Sequence, residues 1–230
     1  MKRDVSALAA LDDDLRRQMY LEIRQRRRPV SREEVAEAVG VSRKLAAFHL
    51  DKLVDRGLLV ATYARPPGRG GRGAGRSAKF YAPSDRTFDV SIPERNYDVM
   101  GSILVQAIEE EQPGERADVA AQRIARRYGE DLGKAERERR HLPPAGAERA
   151  MSVATDVLST CGYEPYADGP GVLRLRNCPF HAVAQRQPEV ICEMNLALLR
   201  GVAEALDDPA LAAALEPAPG RCCVALRHAG

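Results

Sequence analysis

Residues 31–57 read SREEVAEAVGVSRKLAAFHLDKLVDRG, and this stretch constrains the fold more than any other. Ser31 is followed three positions later by Glu34, the pattern in which each residue satisfies the other's free backbone N–H at a helix start. Gly40 ends that helix, since glycine accepts the left-handed backbone found just beyond a helix C-terminus. Ser42 then caps a second helix, which runs to Gly57. The two helices are separated by little more than Gly-Val-Ser, so they must meet at a tight corner. Ahead of them, DDDLRRQMYLEIRQRR places Leu15, Met19, Leu21 and Ile23 near helical spacing behind an acidic start, which suits the positive end of a helix dipole. Three short helices with such a corner predict a helix-turn-helix, whose last helix enters the major groove of DNA.

Helical periodicity divides that last helix into two faces. Leu45, Leu50, Leu53 and Val54 are expected to pack inward, with His49 on the same side as a structural residue. Lys44, Ala47, Phe48 and Asp51 lie opposite. With Ser42 and Arg43 at the leading end, the candidate DNA-contacting residues are Ser42, Arg43, Lys44, Ala47 and Phe48. Beyond Gly57, Leu58 to Tyr63 alternates as a strand and Ala78 to Tyr81 returns as a second one. Between them, residues 65–79 carry Arg65, Arg69, Arg72, Arg76 and Lys79 among five glycines and no acid. This is the form of a hairpin wing, in which Arg69, Arg72, Arg76 and Lys79 are expected to meet phosphates or a minor groove. The module resembles the winged-helix domain of ArsR- and DeoR-like bacterial repressors. Charge agrees: residues 1–80 hold 18 Lys plus Arg against 10 Asp plus Glu, whereas the chain as a whole carries only +2. A basic module facing a polyanion, followed by an acidic remainder, is the expected organisation.

Residues 94–160 read as helices, and YDVMGSILVQAIEEE presents a broad apolar stripe at positions 99, 100, 103, 104, 107 and 108. Such stripes between a reader and a sensor serve either packing within one chain or a dimer interface. Symmetric half-sites make a homodimer the expectation.

All five cysteines fall in the last third of the chain, at Cys161, Cys178, Cys192, Cys222 and Cys223. No apolar run approaches the roughly 20 residues that span a bilayer, and the first residues do not read as a secretory signal. A cytoplasmic chain is therefore expected, and there clustered cysteines point to metal or redox chemistry more often than to disulfides. CGYEPYADGPGVLRLRN reads as a hairpin whose closure brings Cys161 beside residues 177 and 178. Pro188 opens a helix in which Cys192 heads an inward stripe with Asn195, Leu199, Val202 and Leu206. PGRCCVALRH reads as a strand, on which Cys222 shares a face with Val224 and Leu226, while Cys223 shares the face of Arg221 and Arg227. The expected metal ligands are thus Cys161, Cys178, Cys192 and Cys222. Tetrathiolate sites suit zinc or iron–sulfur clusters. The sequence lacks the short Cys-x₂₋₄-Cys knuckles typical of structural zinc, which favours a cluster.

NCPFHAVA, PEVICEMNLALLRG and PGRCCVAL, behind a serine-capped helix pair, resemble the SufR-type repressors of iron–sulfur assembly operons. The resemblance implies a homodimer that carries an iron–sulfur cluster, of the [4Fe–4S] type, and binds double-stranded operator DNA while the cluster is present. It carries over Cys178, Cys192 and Cys161, and leaves the fourth ligand among Cys222, Cys223, His181 and an exogenous molecule. The alternative is a zinc-binding or thiol-redox regulator using Cys222 and Cys223. An enzyme is not expected, because Cys178 and His181 lack a third partner in the sequence. The expected architecture is α+β and mostly helical. It comprises a winged helix-turn-helix over 1–88, central helices over 89–160, and a cysteine-rich sensor of small sheet plus helix over 161–230.

Overall fold

Asp13, Ser31 and Ser42 each stand in extended backbone and accept, through the side chain, the N–H of the residue three positions on. Each of them starts a helix. In the computed structural model, which describes residues 2–64, 77–141 and 147–229, the chain divides into two units, Met1–Val90 and Ser91–Gly230. The fold is α+β, 54% helical, with two small antiparallel sheets.

The first unit contains α1 (Lys2–Ala10), α2 (Asp14–Arg26), α3 (Arg32–Ala38) and α4 (Arg43–Asp55). Its strands β1 (Val30–Ser31), β2 (Leu59–Ala64) and β3 (Ala78–Pro83) form a sheet of order β1-β3-β2. The corner between α3 and α4 turns on Gly40, whose φ of +70° lies in the left-handed region that β-carbons disfavour. At Ser31 the full capping box forms, with Glu34 accepting the Ser31 N–H in return. Met19, Ile23, Val35, Ala46, Leu50, Leu53, Leu59 and Tyr81 fill the core. β2 and β3 pair from Leu59↔Pro83 to Ala64↔Ala78, so the expected hairpin stem is present. Leu45 does not pack inward as expected. It is exposed, as is Leu21, and Ala46 takes the core place beside His49, Leu50 and Leu53. The buried stripe of α4 therefore runs 46, 49, 50, 53, about one helical step from the one read off the leucines.

The second unit contains α5 (Tyr97–Glu109), α6 (Ala117–Arg140), α7 (Ala147–Thr160), β4 (Pro165–Ala167), β5 (Val172–Leu175), α8 (His181–Ala184), α9 (Pro188–Ala205), β6 (Leu211–Leu215) and β7 (Val224–His228). The sheet order is β4-β5-β7-β6. Helix α9 is the axis of this unit, buried along most of its length from Ile191 to Ala205. It lies against α6 at glycines. A β-carbon on Gly129 would collide with the Leu198 carbonyl, and one on Gly201 with the Arg126 carbonyl. One core joins Ile103, Ile124, Val153 and Leu158 to Leu175, Phe180, Met194, Leu199 and Leu226, so residues on both sides of position 160 share it. On α5 the buried stripe is narrower than expected: Ile103 and Ala107 are buried, whereas Ile108 is exposed. Among the described residues, no helix is long and apolar enough to cross a membrane.

Candidate functional site

The hairpin β4–β5 closes as the turn residues dictate, with Pro165↔Leu175 at its open end. Strand β5 stops at Leu175, and the chain passes through Asn177 and Cys178 into a turn held by the His181 N–H donating to the Cys178 carbonyl at 3.1 Å. Asn177 is buried and anchors this exit. Its amide donates to the carbonyls of Gly162 at 2.6 Å and Glu94 at 2.7 Å, and its oxygen accepts from Arg95. Arg95 also donates to the Cys178 carbonyl at 3.2 Å. The sulfur of Cys178 is thereby fixed pointing into the core, where its thiol is buried.

Strand β7 begins at Val224, so Cys222 and Cys223 precede the strand and its alternation does not govern them. The Cys222 N–H donates to the Leu175 carbonyl at 2.9 Å, and the Cys223 carbonyl accepts the Glu216 N–H at 2.6 Å. Held in this way, the two vicinal side chains differ in burial. Cys222 is buried and lies within hydrogen-bonding reach of Cys178, whereas Cys223 is half-buried and lies within reach of both Cys222 and Cys192. Cys192 sits in the first turns of α9, half-buried, behind Pro188. Four thiols from three separate segments thus form a continuous line: Cys178, Cys222, Cys223, Cys192. Because Cys223 precedes the strand, it is not turned away from the group as strand alternation would have turned it.

Cys161, placed just after α7, has Glu94 and Tyr128 as electrostatic neighbours, and burial with the Glu94 charge pushes its thiol up to about 11. It shares the Tyr163 phenol with Cys222, Cys178 and Cys223. His181, the other candidate ligand, is exposed at the start of α8.

Two residues complete the site that cysteine spacing could not indicate. Asn195 is fully buried on α9; its amide donates to the Cys222 sulfur at 3.3 Å and its oxygen accepts the Tyr163 hydroxyl. The sequence signal was an amide inside an otherwise apolar helical stripe. Backbone N–H groups add to this: that of Phe180 donates to the Cys178 sulfur and that of Val224 to the Cys222 sulfur. Such donors stabilise negative charge on sulfur. Against them, the hydrogen bond to Cys222 and then burial hold the Cys178 thiol well above its usual range. Burial raises Cys192 as well, partly offset by its bond with Cys223. The neutral thiol is therefore favoured at Cys178, Cys192 and Cys222.

The donor chemistry fits a thiolate-bound metal group: four soft sulfurs, three N–H donors aimed at two of them, and an apolar surround. Among the described residues, no three His, Cys, Asp or Glu side chains are arranged to hold a single metal ion. The fit therefore lies in the donor set and not in a preformed coordination shell.

The second candidate surface is on the first unit. Ser42, Arg43 and Lys44 are exposed at the leading end of α4, Ala47 is half-buried, and Phe48 is 57% exposed with its edge against His49. His49 is buried, as expected of a structural residue. Lys79, on β3, is ion-paired to Asp51 at 2.5 Å. Arg69, Arg72 and Arg76 lie outside the described residues. Compared with known proteins, the chain matches no family model, and no curated protein is significantly similar to it.

Proposed function

We propose that this protein is a winged-helix transcriptional regulator that binds operator DNA as a homodimer. Its DNA affinity is set by an iron–sulfur cluster of the SufR type held in the second unit. The observation that carries this reading is the convergence of Cys178, Cys192, Cys222 and Cys223 on one place. That convergence occurs in a chain whose other unit offers a tightly turned helix pair, an exposed leading end with Arg43, Lys44 and Phe48, and a hairpin stem. Cys178, Cys192 and the Cys222–Cys223 pair hold the metal group, in the cytoplasm. Asn195 and the N–H groups of Phe180 and Val224 offset thiolate charge at the buried end. Half-buried Cys192 and Cys223 form the side reached from solvent. A bound cluster supplies a group that is lost on iron limitation or oxidation, and this loss is the signal. No catalytic step is assigned.

The test is anaerobic purification followed by iron and acid-labile sulfide analysis. Iron and sulfide in comparable amounts, both lost in Cys192→Ser, are expected. A colourless protein containing zinc, or no metal at all, overturns the cluster. A second reading has its own support. Cys178 with Cys222, and Cys192 with Cys223, already stand in contact, as thiol pairs of a redox sensor do. In that case the anaerobic protein is metal-free, and a peroxide removes two electrons and two protons per pair to leave a disulfide and water.

A further inference from the structure

The face of α4 that carries Lys44, Ala47 and Phe48 also carries an acid. Asp51 follows them by one helical turn, and its side chain is half-exposed. A carboxylate there repels DNA phosphates, so its presence requires a reason. Its Oδ1 accepts two hydrogen bonds from β3: one from the Lys79 ammonium at 2.5 Å and one from the Tyr81 hydroxyl at 3.0 Å. The Tyr81 ring is buried in the core of the unit, so its hydroxyl needs a partner. The Lys79 ammonium also lies 5.2 Å from the centre of that ring. One carboxylate therefore ties the hairpin to the helix across about 30 positions of sequence and neutralises the Lys79 ammonium beside the helix.

We propose that Asp51 is a specificity-determining positioning residue of the DNA-reading surface. It fixes β3 against α4 and withholds the Lys79 charge from phosphates, which restrains sequence-independent attraction relative to base reading. The inference rests on the DNA-binding reading. Phosphate contacts supply affinity for any duplex, whereas base contacts discriminate among them, so cancelling a cation beside the reader favours discrimination.

The experiment uses the full chain and two probes: a duplex selected by the protein from a random pool, and a duplex of arbitrary sequence. Asp51→Asn keeps an oxygen for the Tyr81 hydroxyl and removes the charge; an unchanged urea midpoint confirms that it folds. It is expected to bind the arbitrary duplex more tightly, to steepen the salt dependence by up to about 0.9 in log–log slope, the value of one added phosphate contact, and to discriminate less. Asp51→Glu is expected to restore discrimination. Lys79→Met is expected to reduce the slope more in the Asp51→Asn background than in the wild-type one. Equal reductions in the two backgrounds overturn the proposal. So does a loss of about 0.9 from Lys79→Met alone, because Lys79 would then already sit on a phosphate. If the wild-type protein binds neither duplex at low salt, the DNA-binding reading itself fails, and this inference fails with it.

Discussion

Asn195 links a phenol to a sulfur in the middle of an apolar helix. Replacing it with leucine removes the acceptor of the Tyr163 hydroxyl, and a polar group left unpaired in a core costs roughly 1–3 kcal/mol. Asn195→Leu is expected to lower the urea midpoint by that measure. Adding Tyr163→Phe is expected to recover much of the loss, since neither partner then remains to be satisfied. Glu34 makes a prediction of a different kind. Its hydrogen bond from Arg28, followed by the N–H of Ser31, lowers its carboxyl from 4.5 to about 2. A carboxylate with a depressed folded-state pKa contributes its full stability above about 4.5, and loses it as pH falls toward about 2. Glu34→Gln should flatten the stability–pH curve over that window and leave its shape near neutrality unchanged. Thermal melts at stepped pH check this.

Helix α9 can approach α6 closely because Gly129, Gly133 and Gly201 carry no side chain where the two backbones cross. Gly201→Ala places a methyl against the Arg126 carbonyl, and overpacking of this kind costs about 1–3 kcal/mol. Gly101, also helical, has open space where its β-carbon would stand. There alanine is expected to stabilise by roughly 0.5–1 kcal/mol through helix propensity. Opposite shifts in melting temperature are the expected result. The elements that were legible in the sequence share a cause: capped helices and turn-closed hairpins are specified by residues a few positions apart. Hence α2, α3, α4 and the β4–β5 hairpin could be read directly. Strand β6 was not legible. LAAAL carries residues that favour helix, and it is extended because Leu211 to Leu215 pair with His228 to Val224. The two-residue β1 likewise exists through its partner, Val30↔Tyr81. The thiol group was legible in membership but not in arrangement. Cys178 and Cys192 follow from local signals, whereas Cys223 depended on where β7 begins, which its pairing with β5 and β6 decides.

The two units have separate cores, so the proposed reader and sensor are linked by thermodynamics: whatever the metal group does to DNA affinity, DNA does in return to metal retention. We expect the metal-loaded dimer to bind an inverted-repeat operator at least about tenfold more tightly than the metal-free dimer, a coupling of about 1.4 kcal/mol. Titration of one operator at fixed salt measures it. Equal affinities, or tighter binding by the metal-free protein, would remove the switch and leave the DNA-binding assignment standing. The sheet of the second unit adds an asymmetry in time. Strand β7, more than 130 residues after the first unit, is an inner strand, hydrogen-bonded to β5 on one side and β6 on the other. It brings Cys222 and Cys223 with it. A chain emerging from the ribosome completes residues 1–90 long before that strand can insert, and domains fold as they emerge. Every new molecule therefore passes through a period in which its basic unit is formed and its thiols are not yet gathered. On the proposed reading, in which the loaded form binds DNA, that order means a newly made chain begins life silent.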